Sequence, residues 1–438
     1  MSKSIKIIMM LISIIFIFIT FDRLMTLEAR QYEQRLYVIR SAEVYIEHGI
    51  YQNAIPIIRY LIDTEHNIYI ATERRYQLMR LYYDLGNERA YRNALQELLN
   101  IGISPQNMSL AELYIEMFYF NYQNARIEDK INFLRRASAT ENYSLVQLFE
   151  DYRFHYTIRH NNFDYVGSTN NNNAIVSKNG IYGIIDARGN VLLQPSFELV
   201  TNFIGGYAVV QSYDSLEIIN LSGVRQSVAD FTVNYLGFWN GSDFVHGIVG
   251  EEGYFLGHWP SGITFYRGYE SAEFIGAVSE GLRVFGNNGL YFIFNEFIYE
   301  SIATDTLGRA AVNGRVFVSY GNGYYMKDLN GNVIAGSFEV AKPFFEANGL
   351  AAVKQNGLWG LIDNNGNIVI DFINNELESS SFGLVAFLQN GLWGFMEVGE
   401  QGSRIVIEPQ FLMARQFVNG AASVLTEQGF AHIILTGY

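Results

Sequence analysis

Seven histidines, three Asp-x-x-Gly-Asn stretches and a few close carboxylates are the residues of this chain whose types could do chemistry. Among His48, His66, His155, His160, His246, His258 and His432 no His-Glu-x-x-His occurs, and His155 and His160, five apart, fall off one helical face. No metal site is expected from them. The turns Asp186–Asn190, Asp328–Asn332 and Asp363–Asn367 offer oxygens that suit a hard cation but lack the later bidentate Glu of an EF-hand loop. Asp and Asn at turn starts, with Gly supplying positive φ, explain them as hairpin turns. With no Cys, disulfides, thiolate metal sites and a Cys nucleophile are excluded. There is no Gly-x-Ser-x-Gly elbow and no phosphate-cradling Gly loop followed by Lys-Ser/Thr, and Glu376 and Glu378 read as a solvated face. The expectation is a protein without cofactor or metal and without enzymatic activity.

Aromatic residues are the stronger candidates for binding. Phe238 and Trp239 stand beside an insertion within residues 235–243, with Trp259 following, and exposed aromatics on loops of a rigid scaffold serve as binding anchors. The competing reading makes them core fillers. Tyr82 and Tyr83 lie in a helical stretch whose Tyr- and Leu-lined groove would receive a protein segment.

The elements that position these residues change along the chain. Residues 4–21 form an apolar run of about membrane-spanning length, with Lys3 on its N-terminal flank and Lys6 early inside it. This reads as a single-pass anchor in a cytoplasmic membrane with the bulk of the chain outside, the alternative being a secreted or periplasmic chain after signal cleavage. Residues 1–27 are assigned to that segment. Residues 28–160 carry apolar positions at helical spacing, including two helix pairs with turn glycines Gly49 and Gly86, 37 residues apart. A turn Gly, a following aromatic and an Ala where helices touch resemble the tetratricopeptide repeat. The Asn-rich stretch at 161–173 marks the boundary to residues 161–438, where period two takes over.

Composition agrees with a helical part followed by a β-rich one. Hydrophobic residues make up 49% and aromatics 15%, with 40 Gly against 6 Pro, which favours many strands joined by Gly turns. Of the net charge of -14, residues 1–160 contribute nothing, with 18 Lys and Arg against 18 Asp and Glu. The acidic C-terminal part repels phosphate backbones, so no nucleic-acid partner is expected.

In residues 161–438 one pattern recurs on anchors Gly180, Asp214, Gly253, Gly289, Gly323, Gly357, Gly391 and Gly429, at intervals of 34 to 39 residues. Each unit offers a strand, a tight turn and a second strand, which in three copies carries an aromatic-Gly pair at Tyr182-Gly183, Trp359-Gly360 and Trp393-Gly394. These copies resemble the WG-repeat family of bacterial proteins, which implies a binding function, often alongside tetratricopeptide-like helices. Such units cannot bury both faces alone, so they stack, as a propeller-like ring of seven to eight units or as an open pile of hairpins. Pairing the C-terminal hairpin with Phe163–Val166 would close the ring. Trp359 and Trp393 are expected to pack between units. The fold class is α+β in several domains, and the functional expectation is an envelope scaffold that binds proteins. A glycan- or small-ligand-binding protein, or a hydrolase, with its site on the β-repeat domain is the alternative.

Overall fold

The computed structural model describes residues 3–248, 254–259, 274–293, 297–305, 309–345, 349–380, 383–399 and 402–437, and the side chains of residues 1–15, 19, 28, 248 and 297 lie outside that description. The chain divides into two compact units, Met1–Arg153 and Phe154–Tyr438.

The first unit is helical: α1 (Lys3–Glu47), α2 (Tyr51–Asp63), α3 (Ile68–Asp84), α4 (Glu88–Ile101), α5 (Leu110–Met117), which continues as a wide turn Phe118–Tyr122, then α6 (Ile127–Ser138) and α7 (Tyr143–Arg153). The start signals are local. Asn67 and Asn87 accept hydrogen bonds from the first amides of α3 and α4, and Ser109 with Glu112 forms a reciprocal capping box on α5. Gly49, Gly86 and Gly102, at φ 71°, 65° and 69°, let the chain leave three helices in the left-handed conformation. One apolar cluster runs through the unit from Ala42 to Leu145, with Ala54 and Leu98 fully buried.

Helix α1 spans both the apolar run and the start of the helical region without a break. Among the described residues no helix is long and apolar enough to cross a membrane. The expected spanning segment 4–21 falls largely on residues outside the description, so that expectation is unsupported here.

The second unit is an eight-bladed β-propeller. Blades 1 to 8 begin at Tyr165, Leu199, Val233, Phe274, Ser301, Val340, Glu376 and Met413, and each is a meander of antiparallel strands, four per blade except for three described in blade 3. The seven anchors among the described residues fall at the turn between a blade's second and third described strands, and at Asn179-Gly180, Asn288-Gly289, Asn356-Gly357 and Asn390-Gly391 both residues have positive φ, as at Asn356 (52°) and Gly357 (79°). The looser segment of each repeat contains the short innermost strand. Eight apolar clusters hold the ring, each joining one blade to the next.

The ring closes, so the open pile of hairpins is set aside. The closing strand is Tyr156–His160, which pairs antiparallel with Gly429–Leu435 as the outermost strand of blade 8. It is not Phe163–Val166, since Tyr165–Val166 is needed as the innermost strand of blade 1. Blade 8 therefore takes strands from both ends of the unit, and Phe430 packs with Phe163 and Val166 across the seam.

The aromatic-Gly pair has a physical reason. Trp359 and Trp393 are buried, Trp359 among Leu377, Val385 and Phe387 of blade 7 and Trp393 among Phe417, Ala422 and Val424 of blade 8, so each is a knob set into the following blade. The glycine beside it faces the blade's outer strand. A Cβ on Gly183, Gly360 or Gly394 would lie 2.5, 2.7 and 2.6 Å from a carbonyl oxygen of that strand. Only a residue without a side chain lets the two backbones approach so closely.

Candidate functional site

The sequence-derived binding residues fall in two units and meet different fates. Phe238 and Trp239 sit on the strand Val233–Trp239 of blade 3, not on a loop, and are 4% and 1% exposed. Trp239 packs against blade 2 and donates its indole N–H to the Tyr207 carbonyl at 2.8 Å. The Arg283 guanidinium lies 5.5 Å from the centre of the Phe238 ring. Both are core residues, because the extra chain length is spent within the sheet, where the pairing of Val233–Trp239 slips twice. Trp259 is partly buried and tilts against Tyr207 at 5.1 Å. Tyr82 is also core, its hydroxyl accepting from Arg59.

Tyr83 remains accessible, at 54% exposure. It begins an aromatic row across three elements: Tyr83 of α3 lies 5.5 Å from Tyr91 of α4, which meets Phe120 edge-on at 4.7 Å. Two cations flank the row, Arg80 with its guanidinium 4.8 Å from the Tyr83 ring and Arg92 5.8 Å from Phe120. Beneath it the Tyr91 hydroxyl donates to Glu116, and burial, then that carboxylate, pushes the hydroxyl far above its ordinary range. Tyr91 is thus a fixed neutral donor that pins α4 to α5.

The turns with cation-like oxygens are internally satisfied. Asp363 Oδ1 accepts from the Asn365 and Asn367 amides at 2.8 Å, and Oδ2 takes the Asn367 side chain at 2.9 Å; Asp328 and Asp186 repeat the arrangement. The Asn332 side chain chiefly holds the Asp328 carboxyl below its ordinary value. Burial works to raise Asp363, but bonds from Asn367 and the turn amides outweigh it. No His/Asp/Glu group suited to a metal ion occurs among the described residues.

Sequence reading missed the channel of the ring. In seven of the eight blades, all but blade 3, the residue after the short innermost strand donates its amide to the neighbouring strand, which fixes an equivalent position around the ring. Blades 1, 2, 4 and 5 place Gly167, Thr201, Gly276 and Ala303 there, whereas blades 6, 7 and 8 place Lys342, Glu378 and Arg415. Lys342 Nζ bonds Glu378 Oε1 at 2.8 Å and reaches Glu376 at 3.4 Å, while Glu378 Oε2 accepts from Gln416 at 3.1 Å. Both Glu378 oxygens are occupied, and Arg415 turns away to donate through Nη1 to Ser168 Oγ at 2.8 Å. These residues line a cavity of about 450 Å³, walled also by Phe345, Trp393 and the Asp305–Arg309 pair. It shares Ser168 and Arg415 with a cavity of about 560 Å³ and Arg309 and Phe345 with a third of about 630 Å³. Aligning the repeats one strand earlier would have exposed this run of charge.

Two histidines are buried in blades. Burial lowers His246 and His432 to about 4, so both are neutral near pH 7. His432 stands at the seam, its Nδ1 against the Asn161 side-chain amide at 2.5 Å and its Nε2 3.0 Å from Ser423 Oγ, which makes Nε2 the protonated nitrogen.

The family model for the WG containing repeat matches residues 182–214, 325–359 and 359–393. No curated protein matches the chain. Among solved structures, Hsv2p of Kluyveromyces lactis is 10% identical with a TM-score of 0.38, the match covering 56% of this chain and 97% of that one. BamB of Moraxella catarrhalis is 10% identical with a TM-score of 0.38, covering 63% and 98%. A streptogramin B lyase is 10% identical with a TM-score of 0.33, covering 64% and 98%. Each matched segment runs from the outer two strands of one blade into the inner two strands of the next, starting at Tyr182, Tyr325 and Trp359, and in these segments the chain carries WG repeats.

Proposed function

We propose that this chain is a non-enzymatic interaction protein, held at a membrane by residues 4–21 with its bulk on the outer side, that engages a protein segment on its helical unit. The observation that carries the reading is the arginine-flanked row Tyr83–Tyr91–Phe120. Tyr and Arg dominate the energetics of protein interfaces, and here the outer ring of the row is exposed while the rest is held rigidly from below. A partner segment would lay an apolar or aromatic side chain against Tyr83 and a carboxylate near Arg80. The apolar sequence of 4–21 and the exposed Phe16, Ile17, Phe18 and Phe21 of α1 support the anchor.

The test is in-cell cross-linking of the full chain and of Tyr83→Ala, followed by mass spectrometry of co-purifying material. A protein recovered with the native chain and lost with Tyr83→Ala supports the reading. Identical recoveries would move the interaction surface away from this row.

A further inference from the structure

The propeller channel carries a second, independent site. In the 450 Å³ cavity the described charged residues are Asp305, Arg309, Lys342, Glu376, Glu378 and Arg415. Arg309 is matched by Asp305 at 2.6 Å, and Lys342 has two carboxylates in reach. Arg415 has none among the described residues. Its guanidinium makes one hydrogen bond, to the neutral Ser168 hydroxyl, and its Nε is out of reach of water without an acceptor. An arginine offers five N–H donors in a plane, a geometry matched by a carboxylate. The neighbour that would have paired with it, Glu378, is already held by Lys342 and Gln416. Among the described residues Arg415 is thus a cation without a carboxylate inside a pocket, against the general rule that enclosed charges are paired.

We infer that this cavity binds a small organic carboxylate, its head group on Arg415 and its apolar body against Phe345 and Trp393. The cavity volume fits a ligand between an amino acid and a short peptide end in size. Arg415 and Ser168 also border the 560 Å³ cavity, so a ligand seated there spans the junction between two compartments of the channel.

The test uses the full chain and three probes: 3-phenylpropionate, phenethylamine and inorganic phosphate, with binding followed by calorimetry. The carboxylate is expected to bind, and Arg415→Gln to weaken it about tenfold or more, since a charge-assisted bidentate bond is lost. Arg225→Gln, on an arginine paired with Glu217 outside the channel, leaves binding unchanged. Tryptophan fluorescence melting checks that Arg415→Gln is folded. Should it not fold, the comparison of probes on the native chain decides. Binding of phenethylamine as tight as that of 3-phenylpropionate overturns the role of Arg415. Phosphate binding as tight as the carboxylate overturns the organic class, and no binding by the carboxylate at millimolar concentration overturns the site.

Discussion

Two glycines three residues apart in blade 6 should respond in opposite ways to the same pair of substitutions. Gly357 is the second residue of an Asn-Gly turn, at φ 79°, with open space where a Cβ would go. Ala there meets no atom and costs only the left-handed conformation, about 1–2 kcal/mol, which Asn tolerates better. Gly360 has ordinary backbone angles, but its Cβ would stand 2.7 Å from the Ile370 carbonyl oxygen and 3.1 Å from Phe372. That oxygen belongs to a paired strand and cannot swing aside, so Gly360→Ala is expected at the upper end of the overpacking range, about 3 kcal/mol. Asn at 360 is worse still. The predicted order is therefore Asn better than Ala at 357 and Ala better than Asn at 360. All four Trp, at 239, 259, 359 and 393, lie in the propeller, so tryptophan fluorescence reports its melting without signal from the helical unit. At roughly 2 °C per kcal/mol for a unit of this size, Gly360→Ala lowers the Tm by about 6 °C and Gly357→Asn by less than about 2 °C. Equal shifts for Ala at both sites would refute the close-approach account of the Trp-Gly pair.

Trp359→Ala removes the knob between blades 6 and 7 and should cost about 3–5 kcal/mol; an unchanged melting curve would mean that the ring does not depend on that contact. The histidines set an acid limit. Because His246 and His432 stay neutral in the fold down to about 4 while an unfolded His protonates near 6.5, their stabilising effect is full above pH 6.5 and is lost as pH falls towards 4. The loss approaches about 3 kcal/mol for each, and His432→Gln should remove roughly half of this slope of Tm against pH between 6.5 and 4. A slope unaltered by the substitution would place the acid sensitivity elsewhere.

The fold was legible in the sequence where one residue type has one job. The Asn-Gly turns require positive φ and the Trp knobs require a pocket, so the period follows from their spacing, while the count stayed at seven to eight units because closure depends on a strand outside the repeats. The closing strand was missed because Tyr156–His160 has no repeat signal of its own: four of its five residues are exposed, and it is defined by what Gly429–Leu435 lacks. Phe238 and Trp239 could be read as loop anchors or as core fillers because an insertion in a repeat looks like a loop; this one is absorbed as slips within paired strands, and the core reading holds. The channel charges escaped notice because Lys342, Glu378 and Arg415 are 36 and 37 residues apart, and only the ring makes them neighbours. Tyr83 was legible as a residue, but its separation from buried Tyr82 needed the helix orientation.

The copies that have lost the Trp-Gly pair show what the pair is for. In blades 1, 6 and 7 a step of two residues past the glycine corresponds to four on the outer strand: Tyr182 faces Phe197 and Ile184 faces Leu193, Trp359 faces Asn374 and Leu361 faces Ile370, Trp393 faces Phe411 and Phe395 faces Ile407. The outer strand bulges by two residues opposite each glycine. Where Glu217 replaces the glycine in blade 2, Leu216 faces Ala229 and Glu217 faces Ser227, a slip of one. Where Phe292 replaces it in blade 4, the pairing from Tyr291 to Ile293 has no slip. Blade 5 reverses the arrangement: Tyr325 stands where the glycine was, and the outer strand supplies Gly336 opposite, whose Cβ would lie 2.4 Å from the Tyr325 ring. The glycine thus belongs to the contact and not to the position, since one strand or the other must give up its side chain for the bulged strand to lie close. A family defined by two letters is, physically, defined by a knob that holds the next blade and a gap that lets its own blade bend towards it.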